Sequence, residues 1–333
     1  MSDAPAWLWV AFTLVAAFSQ TFRNLLQKGL TATLGTVGAT HVRFLFGLPC
    51  AVLMVGVVLS ASPPRQLQWS AEFWLWVWVG GLAQIVATAL MLGAMQGKSF
   101  AVATAYVKSE PVTVALLAFV FLGEPLGWFA AAAIVVATVG VVLMSMPAPN
   151  SGASASAAAP PSAQAAGQRP GSAASGVTSG LGGPGWASAP VVLGIGAGAL
   201  FALAAVGFRG AVLALGDDPF YVRAAVTLVV SLAIQTGVLS LWLALRSPDT
   251  LGAIFRAWRP SLGAGALGAF ASLCWFVAFA LQSPALVRTL ALVEILFAMA
   301  LARRLFAQRE SAREVWGIAL MVLGVAALLI VPH

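Results

Sequence analysis

The chain has 333 residues, of which 61% are hydrophobic and only 8% charged, against about 25% charged in an ordinary soluble domain. That balance excludes a soluble globular enzyme and points to the bilayer as solvent. The net charge of +7 does not point to nucleic acid, because Lys and Arg stand singly in loops and at span ends, without a basic patch or a basic amphipathic helix. Two cysteines in apolar stretches, Cys50 and Cys274, and two histidines, His41 and His333, offer neither a disulfide framework nor metal-ligand spacing.

Apolar runs between Gly, Pro and polar breaks predict ten transmembrane helices, near 7–30, 38–60, 73–96, 99–122, 126–146, 190–213, 219–245, 261–281, 283–305 and 311–331. Such runs must close their backbone hydrogen bonds internally, so the expected fold is an all-α bundle integral to the membrane. "MSDAPAWLWVAF" has no positively charged start and no evident cleavage site, and reads as a retained first helix. Residues 147–189, rich in Ala, Ser, Gly and Pro, have too few bulky apolar groups to pack a core and read as a flexible linker. The organisation expected is a five-helix unit over 1–146, the linker over 147–189 and a second five-helix unit over 190–333.

The two units share landmarks. "TFRNLL" around Arg23 is echoed by "GFRGAV" around Arg209, 186 residues later, and "THVRFLFGL" around Arg43 by "FYVRAAVTL" around Arg223, 180 later. "KSFAVATAYVKSEPV" lines up with "QSPALVRTLALVEIL", setting Glu110 on Glu294 at an offset of 184, which Gly140 and Gly324 share. An odd number of spans per copy puts the copies in opposite orientations, the inverted repeat of an alternating-access carrier.

"SEPVTVALLAFVFLGEPLGWFAAAAIVVATVGVVLM", with its mid-span proline, the turn at Gly123 and Glu124 and a late glycine, resembles the EamA-type domain of the drug/metabolite transporter superfamily. "LVEILFAMALARRLFAQRESAREVWGIALMVLGVAALLI" is similar to its second copy, although "FAQRE" replaces "FLGE" and Ile295 stands where Pro111 does. The resemblance covers nearly the whole chain apart from the linker. It implies a ten-helix multi-pass carrier of the cell inner (cytoplasmic) membrane that moves small metabolites, often outward, with both termini inside. The charge count gives the reverse orientation. Lys28, Lys98, Arg169, Arg246, Arg256, Arg259, Arg303, Arg304, Arg309 and Arg313 fall in odd-numbered loops and only Arg65 in an even one, so the positive-inside rule sets the termini outside.

The charges inside the spans carry the functional reading. Glu110 and Glu294 fall halfway along spans four and nine, near the bilayer midplane, where an ionisable side chain costs at least about 2.5 to 3.5 kcal/mol and is by default a functional hypothesis. They are the candidates for binding a cationic group or exchanging protons, against the alternative of a structural ion pair with a buried Arg. Pro111 removes a backbone donor beside Glu110 and predicts a kink. Tyr106, one turn earlier on the same face, Gln84 in span three, Trp275 in span eight and Arg23 on a polar face with Ser19, Asn24 and Gln27 complete the expected cavity. Lys108 points to another face, toward a structural partner. Arg23 and Arg43 on one side, and Arg209 and Arg223 on the other, read as pairs at the two membrane faces, either reaching headgroups, pairing with acids or backbone carbonyls in gates, or attracting a carboxylate or phosphate on the substrate.

With no nucleophile and base pair, no phosphate-cradling loop, no metal cluster and no cofactor signature, catalysis is not expected. The expectation is a secondary transporter exporting amino acids or related small metabolites, with protons as one candidate coupling partner. A carrier of an anionic phosphorylated or lipid-linked substrate, and a non-transporting membrane sensor or assembly protein, are the alternatives.

Overall fold

The computed structural model describes residues 5–62, 66–97, 107, 110–125, 127–145, 189–297 and 312–330. Every regular element among them is helical. The residues read as a linker lie outside them, apart from Ala189.

The first helical stretch, α1, runs Leu8–Leu45 but is broken by Gly35 at φ 67°, ψ 176°, a conformation essentially confined to glycine. There the chain turns back. Gln27 Nε2 donates to Ala39 O at 3.0 Å, whereas residues twelve apart in a straight helix lie about 18 Å apart. After a slight break at Phe46 comes α2, Gly47–Ser60, followed by α3, Ala71–Gly97. Helix α4, Glu110–Leu122, meets α5, Trp128–Ser145, through a turn in which Gly123 takes φ 64°. Helices α6, Ala189–Ala214, and α7, Phe220–Arg246, are followed by a nine-residue α8, Pro248–Arg256, that the ten expected spans do not include. Then come α9, Trp258–Leu281, α10, Pro284–Leu290, and α11, Ala312–Ile330. Ser283 caps α10, and a 3₁₀ turn over Ala291–Val293 separates α10 from Glu294.

Five stretches, Leu8–Ser60, Ala71–Met95, Val192–Ala214, Phe220–Arg246 and Trp258–Leu281, are long and apolar enough to cross a membrane. Burial is arranged for an apolar solvent. Trp128, Phe129, Leu245 and Leu53 point outward, while Arg23, Asn24, Gln27, Arg43, Glu110, Gln235 and Glu294 are buried. Hydroxyls within the helices are satisfied locally: Thr13, Thr21, Thr88, Thr138 and Thr289 each donate to the carbonyl four residues back. This is a multi-pass membrane protein.

Helices far apart in the chain pair extensively: α1 with α9, α3 with α6, α2 with α7, α4 with α10 and α5 with α11. Small residues set the approach where backbones nearly touch. A Cβ on Gly207 of α6 would lie 2.8 Å from the backbone of Gly80 in α3. A Cβ on Gly140 of α5 would come within 2.6 Å of Gly317 O in α11, and one on Gly324 of α11 within 2.6 Å of Ala133 O in α5. On α9, Gly265 meets the backbone of Phe46 and Gly47 in the same way.

Candidate functional site

The pairings bring one polar centre together in the middle of the bundle. Gln20, Arg23, Asn24 and Arg43 come from α1, Gln84 from α3, and Glu110 from the start of α4. Ser272 and Trp275 come from α9, Arg288 from α10, and Glu294 follows the 3₁₀ turn; all of these line one cavity. Phe201, Phe208, Phe276 and Phe279 wall it on the apolar side. Its free volume is about 20 Å³, enough for a water molecule and too little for a metabolite.

Both glutamates are held. Glu110 Oε1 lies 3.0 Å from Arg288 Nε, and both side chains are buried. The Arg288 guanidinium also covers the Trp275 ring at 4.6 Å and faces Phe279 at 5.4 Å, a cation–π arrangement that replaces part of its lost hydration. Glu294 accepts from Gln20 Nε2 at 2.9 Å and from Asn24 Nδ2 at 3.3 Å. Arg23 Nη2 donates to Asn24 Oδ1 at 2.6 Å, and Trp275 Nε1 donates to Gln20 Oε1 at 3.0 Å. One continuous polar network thus runs from Arg23 through Asn24, Glu294, Gln20 and Trp275 to the Arg288–Glu110 pair. Arg43 is placed differently. Its Nη1 and Nη2 reach the hydroxyls of Thr88 and Ser272 at 3.3 and 3.2 Å, and its Nε has no hydrogen-bond partner among the described residues. Gln84 accepts from Gln235 Nε2 at 2.8 Å.

Of the residues singled out from sequence, Glu110, Glu294, Gln84, Trp275 and Arg23 line this cavity, while Tyr106 and Lys108 lie outside the described residues. Pro111 is buried in the first turn of α4, where its missing N–H is least disruptive, and the residues just ahead, where a kink would show, are not described. The reading of Arg23 and Arg43 as a pair at a membrane face needs correction. They are 1% and 2% exposed and line the central cavity, because the reversal at Gly35 folds Arg43 back against α1 and α9. Arg209 and Arg223 keep a peripheral place. Arg209 Nε pairs with Glu124 Oε1 at 2.9 Å and its Nη1 donates to Phe279 O, while Arg223 Nη1 donates to Gly216 O at 3.0 Å.

The sequence reading missed Arg288. It sits six residues before Glu294 and near the start of a predicted span, where a long cation ordinarily reaches headgroups, and its partner is 178 positions away in the chain. Gln20, Ser272 and Gln235 were also missed. His41, 0% exposed with Nε2 3.0 Å from Ser240 Oγ, lies away from the cavity lining.

Among solved structures, one titled only "Crystal structure of protein" matches with a TM-score of 0.59 at 16% identity, over 95% of this chain and 95% of its own. That likeness is one of fold. No curated protein matches the chain. Residues 7–146, which carry Arg23, Arg43, Gln84 and Glu110, match the model of the EamA-like transporter family, in keeping with the sequence's resemblance to the drug/metabolite transporter superfamily.

Proposed function

We propose that this chain is a secondary transporter that exports amino acids or related small metabolites by alternating access. The observation that carries the reading is the buried centre itself. Three arginines and two glutamates from α1, α4, α10 and the Glu294 segment meet in one cavity, a placement too costly in a bilayer to be expected without a use. The working unit in this reading is ten transmembrane helices in two inverted five-helix halves, residues 1–146 and 190–333 around the 147–189 linker, in the cell inner membrane. The packing supports it. The first helix of each half pairs with the third of the other, α1 with α9 and α6 with α3, and like pairs with like for α2/α7, α4/α10 and α5/α11. Gly140 and Gly324 meet residues of the opposite helix that are themselves 184 apart, Gly317 against Ala133. An exchange of halves maps this contact set onto itself.

Rocking of the halves would part the network on one side and then the other, and the Arg209–Glu124 pair, only 14% and 19% exposed, would serve as a latch at one end. Proton exchange at Glu294 or Glu110 is the drive this reading favours. The test compares metabolites in the spent medium of cells producing the wild-type chain or equal amounts of Glu294→Gln. A compound class that accumulates with the wild type and falls to background with the variant supports export. Equal accumulation with both removes Glu294 from the transport step, and no flux of any metabolite in either direction in proteoliposomes returns the sensor reading.

A further inference from the structure

The charges of the centre do not balance. Among the described residues, two acids line the cavity, Glu110 and Glu294, against three guanidinium groups, Arg23, Arg43 and Arg288. Geometry assigns the two acids. Arg288 lies on Glu110, and Arg23 reaches Glu294 through Asn24. Arg43 is left with two neutral hydroxyls at the long end of hydrogen bonding, Thr88 and Ser272.

Three guanidinium atoms of the centre have no hydrogen-bond partner among the described residues: Arg288 Nε, which has the Glu110 carboxylate 3.0 Å away, and Arg43 Nε and Arg23 Nη1, which belong to side chains at most 2% exposed. The two stems lie side by side over Gly268. A Cβ there would be 3.1 Å from Arg43 Cγ and 3.3 Å from Arg23 Cδ, so the glycine lets two like charges run together across α9. Buried donors are rarely left unused, and a desolvated cation without an acid is among the costlier arrangements a protein keeps.

We propose that Arg43, with Arg23 beside it, is the subsite for a carboxylate on the transported molecule. Resting on the transport reading above, this assigns its substrate class: a metabolite carrying one carboxylate. Binding would exchange the Thr88 and Ser272 contacts for charge-assisted hydrogen bonds from Arg43 Nη1 and Nη2 and supply an acceptor for the idle donors. The count selects the anion. Among the described residues the excess at Arg43 is one positive charge, which one carboxylate neutralises, whereas a phosphate monoester, at about −1.5 to −2 near pH 7, would overshoot it. Widening of the centre as the halves move would supply the volume.

The experiment uses the purified full chain in detergent, with the twenty amino acids, their amides, which lack the carboxylate, and glycerol 3-phosphate as probes. Binding is read as a shift of the unfolding midpoint, and transport as uptake of the same probes into proteoliposomes. At least one amino acid should raise the wild-type midpoint while its amide does not, and Arg43→Gln should weaken that binding about tenfold or more. Arg43→Lys, keeping the charge without the planar fork, should recover part of it.

Without probe, Arg43→Gln should be as stable as the wild type or more so, because it removes the surplus charge; a purely structural Arg43 predicts the opposite sign. Should Arg43→Gln fail to fold, that stability sign overturns the proposal, and the Lys variant reports binding independently. Equal binding of acid and amide, stronger binding of glycerol 3-phosphate, or no binding of any carboxylate probe would each refute the carboxylate subsite. Binding without uptake would leave the subsite standing and remove the transport reading instead.

Discussion

The Arg288–Glu110 pair lends itself to a double-mutant cycle. At 3.0 Å and an effective dielectric of about 20, the attraction is about 332/(20 × 3), or roughly 5 to 6 kcal/mol. Burial cancels most of this, because both groups gave up water to reach the centre, so the pair as a whole adds little net stability. Removing one partner is another matter: the remaining charge stays buried, at a loss of about 3 to 5 kcal/mol. The two single variants should not be equal. Glu110→Gln raises the excess positive charge of the five-charge centre from one to two, whereas Arg288→Met lowers it to zero. Glu110→Gln is therefore the more destabilising, and Arg288→Met loses in addition the contact with Trp275. The double variant Glu110→Gln/Arg288→Met should return to within about 1 to 2 kcal/mol of the wild type, since a non-polar replacement of both partners is often neutral. Reversible unfolding in mixed micelles, with denaturing detergent as the variable, gives the four stabilities. Additive losses in the double variant, or Arg288→Met proving the more damaging single change, would refute the reasoning.

Two further predictions concern the backbone. Gly140→Ala and Gly324→Ala should each destabilise by about 1 to 3 kcal/mol through forced separation of α5 and α11, and the double variant should lose clearly less than the sum, because one separation accommodates both methyl groups; strict additivity in the same unfolding assay would contradict a shared contact. Gly35→Ala has no neighbour within 4 Å to strike, so its loss is purely conformational, about 1 to 3 kcal/mol, and hydrogen exchange should show the loosening centred on the Gln27–Ala39 contact. A variant as stable as the wild type would mean that the reversal does not depend on positive φ at that position.

The hydropathy pattern of the chain carried the membrane class and the positions of several long helices, because each depends on local composition. Expected spans of 73–96, 190–213 and 219–245 stand against Ala71–Gly97, Ala189–Ala214 and Phe220–Arg246. Depth alone was sufficient to nominate Glu110 and Glu294. Partners were not legible: Arg288 and Glu110, or Gln20 and Glu294, meet only through helix pairings that no local pattern encodes. Arg43 was misplaced for a related reason, since the approach of Gly268 that makes room for its stem beside Arg23 belongs to another helix. The short α8 was legible and overlooked. Pro248 at its first position, Asp249 in its first turn and Leu251, Ile254 and Phe255 at helical spacing are ordinary start and face signals.

The cross-pairing of early with late helices has a consequence for how the molecule is made. The polar face of α1 finds its acceptor only when the region of Glu294 is synthesised, 270 residues after Asn24, which at roughly 5 to 20 residues per second is a delay of about 14 to 54 s. Through that interval the amides of Gln20 and Asn24 must wait in the membrane without the carboxylate they finally bind. Neither half completes its interior alone, so the chain's assembly is a single late event, and a truncation anywhere before α10 leaves an unfinished core.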